Sequence, residues 1–282
     1  MLNNKIDFIM TITVDNANPN GDPLAGNMPR TDSKGYGEMS DVSIKRKIRN
    51  RMQDLGNEIF VKSRDRTDDG FSSLQERYES VFNKNNSDEE VERGFCEKWL
   101  DVRSFGQVIT YGNRSIGIRG PVSIGIAKSL EPVEITTMQI TRSTNSMKPK
   151  GKSSRSADTM GSKHVIEQGT YVINGAVNCF YSEKTGFDEK DLEVLKEALR
   201  TLFINDVSSA RPEGSMEVRD IFWFKHSSKI GDVSSAKIKD LLVWNDNNSL
   251  KEKYEDYDIH LDKKLLAKYE EKGLQVQQIE GL

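Results

Sequence analysis

The chain has 282 residues, 35% hydrophobic and 30% charged, and its 41 basic and 44 acidic residues leave a formal net charge of −3. That composition suits one large soluble domain or two small ones, and the near balance of charge argues against indiscriminate nucleic-acid binding. No charged-then-apolar leader opens the sequence and no apolar run approaches the roughly 20 residues of a membrane span, so a cytoplasmic protein with no membrane partner is expected. Cys96 and Cys179 stand far apart without a CxxC pair. They offer neither a disulfide framework nor a zinc site and read as small buried hydrophobes.

From the N-terminus, Asp7 to Val14 is rich in β-branched and aromatic residues and predicts a central strand. It runs into Asn18-Pro-Asn-Gly-Asp-Pro23, where two prolines and a glycine cannot continue a strand and must turn. Past Pro29-Arg30-Thr-Asp32, Ser40 is a fitting N-cap for a helix with five cations and no acid between Val42 and Met52. Ile44, Ile48, Met52 and Leu55 form its apolar stripe. Lys45 and Arg49 flank the stripe on one side, Lys47 and Arg51 on the other, and Arg46 points roughly opposite. Such a helix docks by its stripe and holds charge at a rim where phosphates can be reached; a merely solvated helix face is the competing reading.

Residues 57–100 lose strand periodicity and read as an insertion, with helical pieces around Ser73 to Phe82 and Glu89 to Leu100. Strands are expected over Leu100 to Thr110 and Ser115 to Ile126, where frequent glycines suggest close approach of another backbone. Residues 133–170 read as two strands around a cationic tip, an extended arm. Charge is zoned: Arg64 to Glu92 carries four basic and nine acidic residues, whereas Thr141 to Val165 carries six basic residues against Asp158 alone. A helix over Gly186 to Ile204, capped by Asp188 and buried through Leu192, Leu195, Leu199 and Leu202, precedes a strand over Met216 to His226. The tail, residues 228–282, holds expected strands at Ile238 to Trp244 and Tyr257 to Leu261. With the insertions removed, the order is the β-α-β-β-α-β of a ferredoxin-like, RRM-like α+β fold.

Catalytic equipment is thin. His164, His226 and His260 stand alone, without metal-ligand spacing, and no cofactor or metal site is indicated. Lys150-Gly-Lys-Ser153 imitates the end of a phosphate-binding loop, but Ser146 stands where its first glycine belongs. Asp22 and Asp32 are candidates for a catalytic acid or a metal ligand, set against the commoner role of a turn-building aspartate. What remains is a backbone-reading surface of rim cations, glycine-rich backbone and a cationic arm, with Phe105 or Met147 available to stack or wedge.

Taken as a set, Asn-Pro-Asn-Gly-Asp-Pro at 18–23, Pro-Arg-x-Asp at 29–32, Ser-Asp-Val-x-Ile-Lys-Arg-Lys-Ile-Arg-Asn at 40–50, Ser-Ile-Gly-Ile-Arg-Gly-Pro-Val-Ser at 115–123, Gln-Ile-Thr-Arg at 139–142 and Thr-Met-Gly-x-Lys-His at 159–164 resemble the backbone subunit of CRISPR Cascade complexes, most closely type I-C. The type I-B subunit shares the first loop. The resemblance implies a single RRM-like domain over 1–282, with a palm, a helical insertion at 57–104, a β-hairpin thumb at 133–170 and a C-terminal extension at 228–282 packing on the palm. It implies a non-catalytic subunit polymerising head to tail along a CRISPR RNA and presenting it to a target DNA strand. Its other partners would be the guide 5′-end cap subunit, the large subunit and the small subunit. Carried over by position, Lys45, Arg46 and Arg49 contact guide phosphates and Asn20 and Gly21 shape the neighbouring loop. Arg30, Ser104, Phe105, Gly106, Arg142, Lys163 and His164 complete the RNA-binding set, and Ser143, Thr144, Met147 and Met160 belong to the thumb. Two other readings stay open: an RNA-cleaving subunit using Asp22 or Asp32, and a self-assembling protein with no RNA role.

Overall fold

The first strand, β1 (Ile6–Ala17), buries alternate side chains on both of its faces, which makes it the middle of a layered structure rather than an edge. The computed structural model describes residues 1–112, 114–141, 143, 160–247 and 251–282. After β1 come the short strands β2 (Gly21–Asp22), β3 (Met28–Pro29) and β4 (Tyr36–Met39), then helix α1 (Asp41–Asp54). Helices α2 (Leu74–Glu79), α3 (Asp88–Lys98) and α4 (Leu100–Phe105) lead to strands β5 (Gly106–Ile109), β6 (Ile116–Arg119), β7 (Val122–Ile124), β8 (Ala127–Pro132) and β9 (Ile135–Thr141). The long strand β10 (Met160–Val177) is followed by α5 (Cys179–Thr185), α6 (Glu189–Arg200) and β11 (Met216–Lys225). The chain ends with α7 (Ser235–Lys239), β12 (Leu242–Val243), β13 (His260–Leu261), α8 (Lys263–Glu270) and β14 (Gln275–Glu280).

The main sheet runs β14-β11-β1-β10-β8-β4, with β7 and β9 also paired to β10, and every pair in it is antiparallel. Reduced to β1, α1, β7/β8, β10, α6 and β11, the strands lie in the order fourth, first, third, second, which is the ferredoxin-like arrangement expected from the element order. One face of β1, from Ile6 through Phe8, Met10 and Ile12 to Val14, packs with Ile44, Ile48 and Met52 of α1 and Leu192, Leu195 and Leu199 of α6. The other face carries Ile9, Phe222 and Phe224 and is covered by Ile238, Leu241, Tyr269 and Leu274 of the C-terminal extension. No helix among the described residues is long and apolar enough to cross a membrane.

A second core gathers Phe60, Tyr78, Phe82, Phe95 and Trp99 with Ile109, Ile116 and Ile118. This cluster alters one expected strand. Leu100 to Phe105 is helical, because Trp99 starts a new turn whose Leu100, Asp101, Val102 and Ser104 are all buried; extended structure begins only at Gly106. Other expectations shift in the same local way. Gly186 adopts a left-handed φ of 77° and ends α5, so the expected helix starts at Glu189 with Asp188 as its cap. Ile238 belongs to a helical turn and only Leu242–Val243 is strand. Tyr257 closes a 3-10 turn, leaving His260–Leu261 as the partner of that strand. Helix α8 and strand β8 are elements that the sequence pattern does not announce.

The glycines expected to meet another backbone do so at Gly106 and Gly120. A Cβ on Gly106, where φ is 78°, would lie 2.2 Å from the Ile118 carbonyl oxygen, and one on Gly120 would lie 2.3 Å from that of Ser104. Neither obstacle is a flexible side chain. Gly106→Ala should therefore cost about 2 kcal/mol or more, read as a lower urea midpoint at unchanged m-value.

Candidate nucleic-acid interface

The loop between β1 and β4 is built on hydrogen bonds that its own sequence supplies. Asn18 donates through Nδ2 to the Asn27 carbonyl at 2.7 Å, and Asp22 caps the turn by accepting from the Leu24 amide at 3.0 Å. A Cβ on Gly21 would fall 2.0 Å from Asn27 Oδ1 and 3.0 Å from the Asn27 carbonyl oxygen, so a larger residue there would have to displace the Asn27 side chain. Asn20 Oδ1 accepts the Ser40 amide at 2.8 Å and so pins the loop to the start of α1, where Ser40 Oγ accepts from the Ser43 amide. Arg30 emerges beside this junction, its side chain 38% exposed and 3.3 Å from Asp22. Asn20, Gly21 and Arg30 are thus brought together at the positive end of a 14-residue helix.

The cations of α1 are not arranged as the stripe suggested. Only Lys45 keeps to a surface role, paired with Asp41 one turn back at 3.0 Å. Lys47 is buried and ion-paired with Asp206, whose carboxylate also accepts from Arg211 Nε at 2.9 Å. Burial depresses the Lys47 ammonium to about 8 against an ordinary 10.5. Arg51 donates to Thr201 Oγ1 at 2.7 Å. Arg46 reaches the Val61 carbonyl oxygen at 2.6 Å, and burial, with neighbouring Arg49, holds its guanidinium below its usual value.

Arg49 donates through Nε to Asp101 at 3.0 Å and lies 4.9 Å over the Phe105 ring. Asp101 is wholly buried and also accepts the amides of Phe60, at 2.7 Å, and Val61, at 3.1 Å. Arg49, Phe105, Ser104 and Gly106 therefore meet at the seam between α1 and the insertion. There Ser104 donates internally to the Leu100 carbonyl and Gly106 is buried. The sequence offered no signal for Asp101 as the hub of this seam, because its partners lie 40 and 52 residues away.

On the arm, Met160 is 62% exposed and accepts a contact from Gln139 Nε2 at 3.4 Å through its sulfur. Lys163 stands opposite Met138, and His164 Nδ1 lies 2.9 Å from Thr137 Oγ1. Ser143 is exposed. Arg142, Thr144 and Met147 lie outside the described residues. Asp22 and Asp32 are both engaged in turns: Asp32 Oδ1 accepts the amides of Lys34 and Tyr36, and its hydrogen bond with Lys128 holds its carboxyl below the usual range. Among the described residues no group of three or more His, Cys, Asp or Glu side chains is placed to hold a metal ion.

A family model described as CRISPR-associated protein Cas7 matches residues 4–262. The chain belongs to the Cas7 family. It is 26% identical over 212 residues to a CRISPR-associated protein Cas7 of Haloferax volcanii, an alignment covering 68% of this chain and 62% of the relative, so the chain spans less than two thirds of that relative's length. Among solved structures, a chain of a CRISPR RNA-guided surveillance complex, pre-nicking, is similar at 18% identity with a TM-score of 0.49, over 78% of this chain and 75% of that one. A chain of another CRISPR RNA-guided surveillance complex is similar at 15% identity with a TM-score of 0.47, over 97% of this chain and 87% of that one.

Two measurements check the seam and the buried lysine of this Cas7-family chain. Asp101→Asn removes the charge that pairs with Arg49 and turns an amide N–H2 toward at least one of the three donors, so it should lower stability by about 3 kcal/mol or more in chemical denaturation. For Lys47, the unfolded chain binds more protons than the folded one between about pH 8 and 10.5. Stability contributed at this position therefore rises as pH climbs through that window. The difference in melting temperature between wild type and Lys47→Met should grow in favour of wild type across it, and a constant difference would contradict the assignment.

Proposed function

We propose that this Cas7-family chain is the guide-RNA-binding backbone subunit of a CRISPR surveillance ribonucleoprotein. The observation that carries this reading is the junction of Asn20, Gly21 and Arg30 with the start of α1, in a chain that matches the family over residues 4–262. A helix N-terminus, a half-exposed arginine and tight glycine backbone make a place for the phosphates of a single strand. The opposite face of the sheet, where RRM-type proteins stack bases, is covered by the C-terminal extension, which favours grip on the RNA backbone over reading of bases.

In this reading copies polymerise head to tail along the CRISPR RNA, as in type I-C complexes, and leave its bases free to pair with target DNA, so that sequence recognition rests with the guide. The cap, large and small subunits of the complex are its further partners, and the arm around Lys163, His164 and Met160 is the thumb. The subunit holds RNA without cutting it. Asp22 and Asp32 are both occupied in holding turns, which supports the scaffold reading over the nuclease one.

The test is single-stranded RNA binding across a salt series. Because Arg46 and Arg49 also hold the insertion, the informative variant is Arg30→Ala/Lys45→Ala. It should weaken binding to every sequence alike and flatten the log–log salt slope by about 1.4, about 0.7 for each phosphate no longer neutralised. Unchanged affinity and slope would remove this junction from the RNA path. Regular cleavage of complementary RNA by the assembled complex, abolished by Asp22→Ala or Asp32→Ala, would replace the scaffold with the nuclease.

A further inference from the structure

We infer that the open edge of β14 is a docking site for an extended segment of another polypeptide, one that alternates apolar and basic residues and joins the main sheet as a further strand. The sheet ends at β14, which pairs with β11 alone, whereas at the opposite end β4 is bridged by Thr31 through Gly37. The Gly281 amide donates to the Arg219 carbonyl at 2.9 Å, and the β11–β14 register runs without a bulge. Alternation therefore turns the amides and carbonyls of Val276, Gln278 and Glu280 away from β11. No strand among the described residues meets them.

Edges of this kind are usually guarded by a lysine, a proline or a bulge. β14 reads Gln-Val-Gln-Gln-Ile-Glu and has none of the three, and all six of its residues are exposed or half-buried. Such a strand is a template for main-chain pairing, and the pockets beside it select the side chains that an incoming strand can bring.

Those pockets differ between the two faces of the sheet. Gln275, Gln277 and Ile279 lie on the α6 face with their partners Lys225, Trp223 and Ile221, while Val276, Gln278 and Glu280 lie on the face under the C-terminal extension. On the α6 face a cavity of about 200 Å³ opens beside Gln275 and Gln277, floored by Ile6, Leu192 and Trp223, and Glu189 and Glu193 at its rim are balanced by Lys196 and Lys225. It has room for one apolar side chain. On the other face a cleft of about 760 Å³ beside Gln278 and Glu280 is lined by Glu217, Asp220, Glu255 and Asp258, with Arg219 as its one cation among the described residues. Arg219 binds Glu217 and Glu255, which leaves Asp220, Asp258 and Glu280 without a Lys or Arg partner among the described residues. A strand added beside β14 sends successive side chains to opposite faces, so the segment that fits alternates apolar residues with Lys or Arg. The same acids repel a polyanion, which sets this edge apart from any phosphate-binding surface.

The experiment titrates a labelled octapeptide of alternating valine and lysine into the purified protein and follows affinity together with amide hydrogen exchange. Wild type should bind it and gain protection at the Val276, Gln278 and Glu280 amides, with little change at Gln275, Gln277 and Ile279, which β11 already holds. The same peptide N-methylated at its four central residues keeps its charge but has no donors there, and should not bind. Gln278→Pro removes one outward donor, spares the ladder to β11 and should cost at least about fivefold in affinity. Glu280→Lys should cost at least about fivefold as well, through charge. Equal melting temperatures show that the variants are folded, and if Gln278→Pro does not fold, Glu280→Lys and the N-methylated peptide still decide the matter. No binding by wild type, equal binding of the N-methylated peptide, or protection without the alternation would overturn the inference. So would self-association of wild type in sedimentation that Glu280→Lys or Gln278→Pro abolishes, because the edge would then belong to a second copy of this chain.

Discussion

A single buried carboxylate organises the relation between the two cores. Asp101 has no access to solvent and satisfies three donors, the Phe60 and Val61 amides and Arg49 Nε. A buried charge is tolerated only when its lone pairs are filled, so the start of the insertion, the end of the insertion and the middle of α1 must all arrive at this point together. Arg46, on the adjacent turn, adds a bond to the Val61 carbonyl. The insertion is therefore locked to the palm by charge and backbone hydrogen bonds, while its interior is an aromatic cluster in which Phe60, Phe95 and Trp99 rings pack with centroids 4.7–4.9 Å apart.

That lock has a cost for the simple picture of a cationic helix. Four of the five cations between Val42 and Met52 hold the molecule together: Arg46 and Arg49 grip the insertion, Lys47 meets Asp206, and Arg51 meets Thr201 at the end of α6. Under the proposed RNA-binding reading, the charge that meets phosphates has to come from elsewhere. Arg119 and Lys184 are exposed, while Arg30 beside the loop and Lys45 at the start of α1 are part-buried and paired with Asp22 and Asp41.

Both faces of the sheet are buried, one under α1 and α6 and the other under the C-terminal extension. A sheet sealed on both sides cannot offer its aromatics to bases. Surfaces for a partner are then confined to loops, strand ends and edges, and the arm, where Met138, Ile140 and Met160 stay exposed on strands that continue beyond the core. This geometry suits a protein that grips a strand by its backbone.

Local sequence was sufficient wherever a pattern repeats within one element. The alternation of β1, the Ile44/Ile48/Met52 stripe, the Asp188 cap, the Leu192/Leu195/Leu199 stripe and the turn chemistry of the Asn18 loop are all short-range, and their order sufficed for the ferredoxin-like topology. The loop half of the candidate site was legible for the same reason: prolines and glycines announce a turn wherever they stand. What the sequence left open was which charges face inward. Arg49 and Asp101 are 52 residues apart and Lys47 and Asp206 are 159 apart, and a cation reads the same in sequence whether its counter-ion is a phosphate or a distant aspartate. Likewise Leu100 to Phe105 has strand-like composition, and only its burial against the aromatic cluster turns it into a helix. Tertiary packing decided these points because desolvation, which selects the partner of a buried charge and the conformation of a buried segment, exists only once the chain has folded.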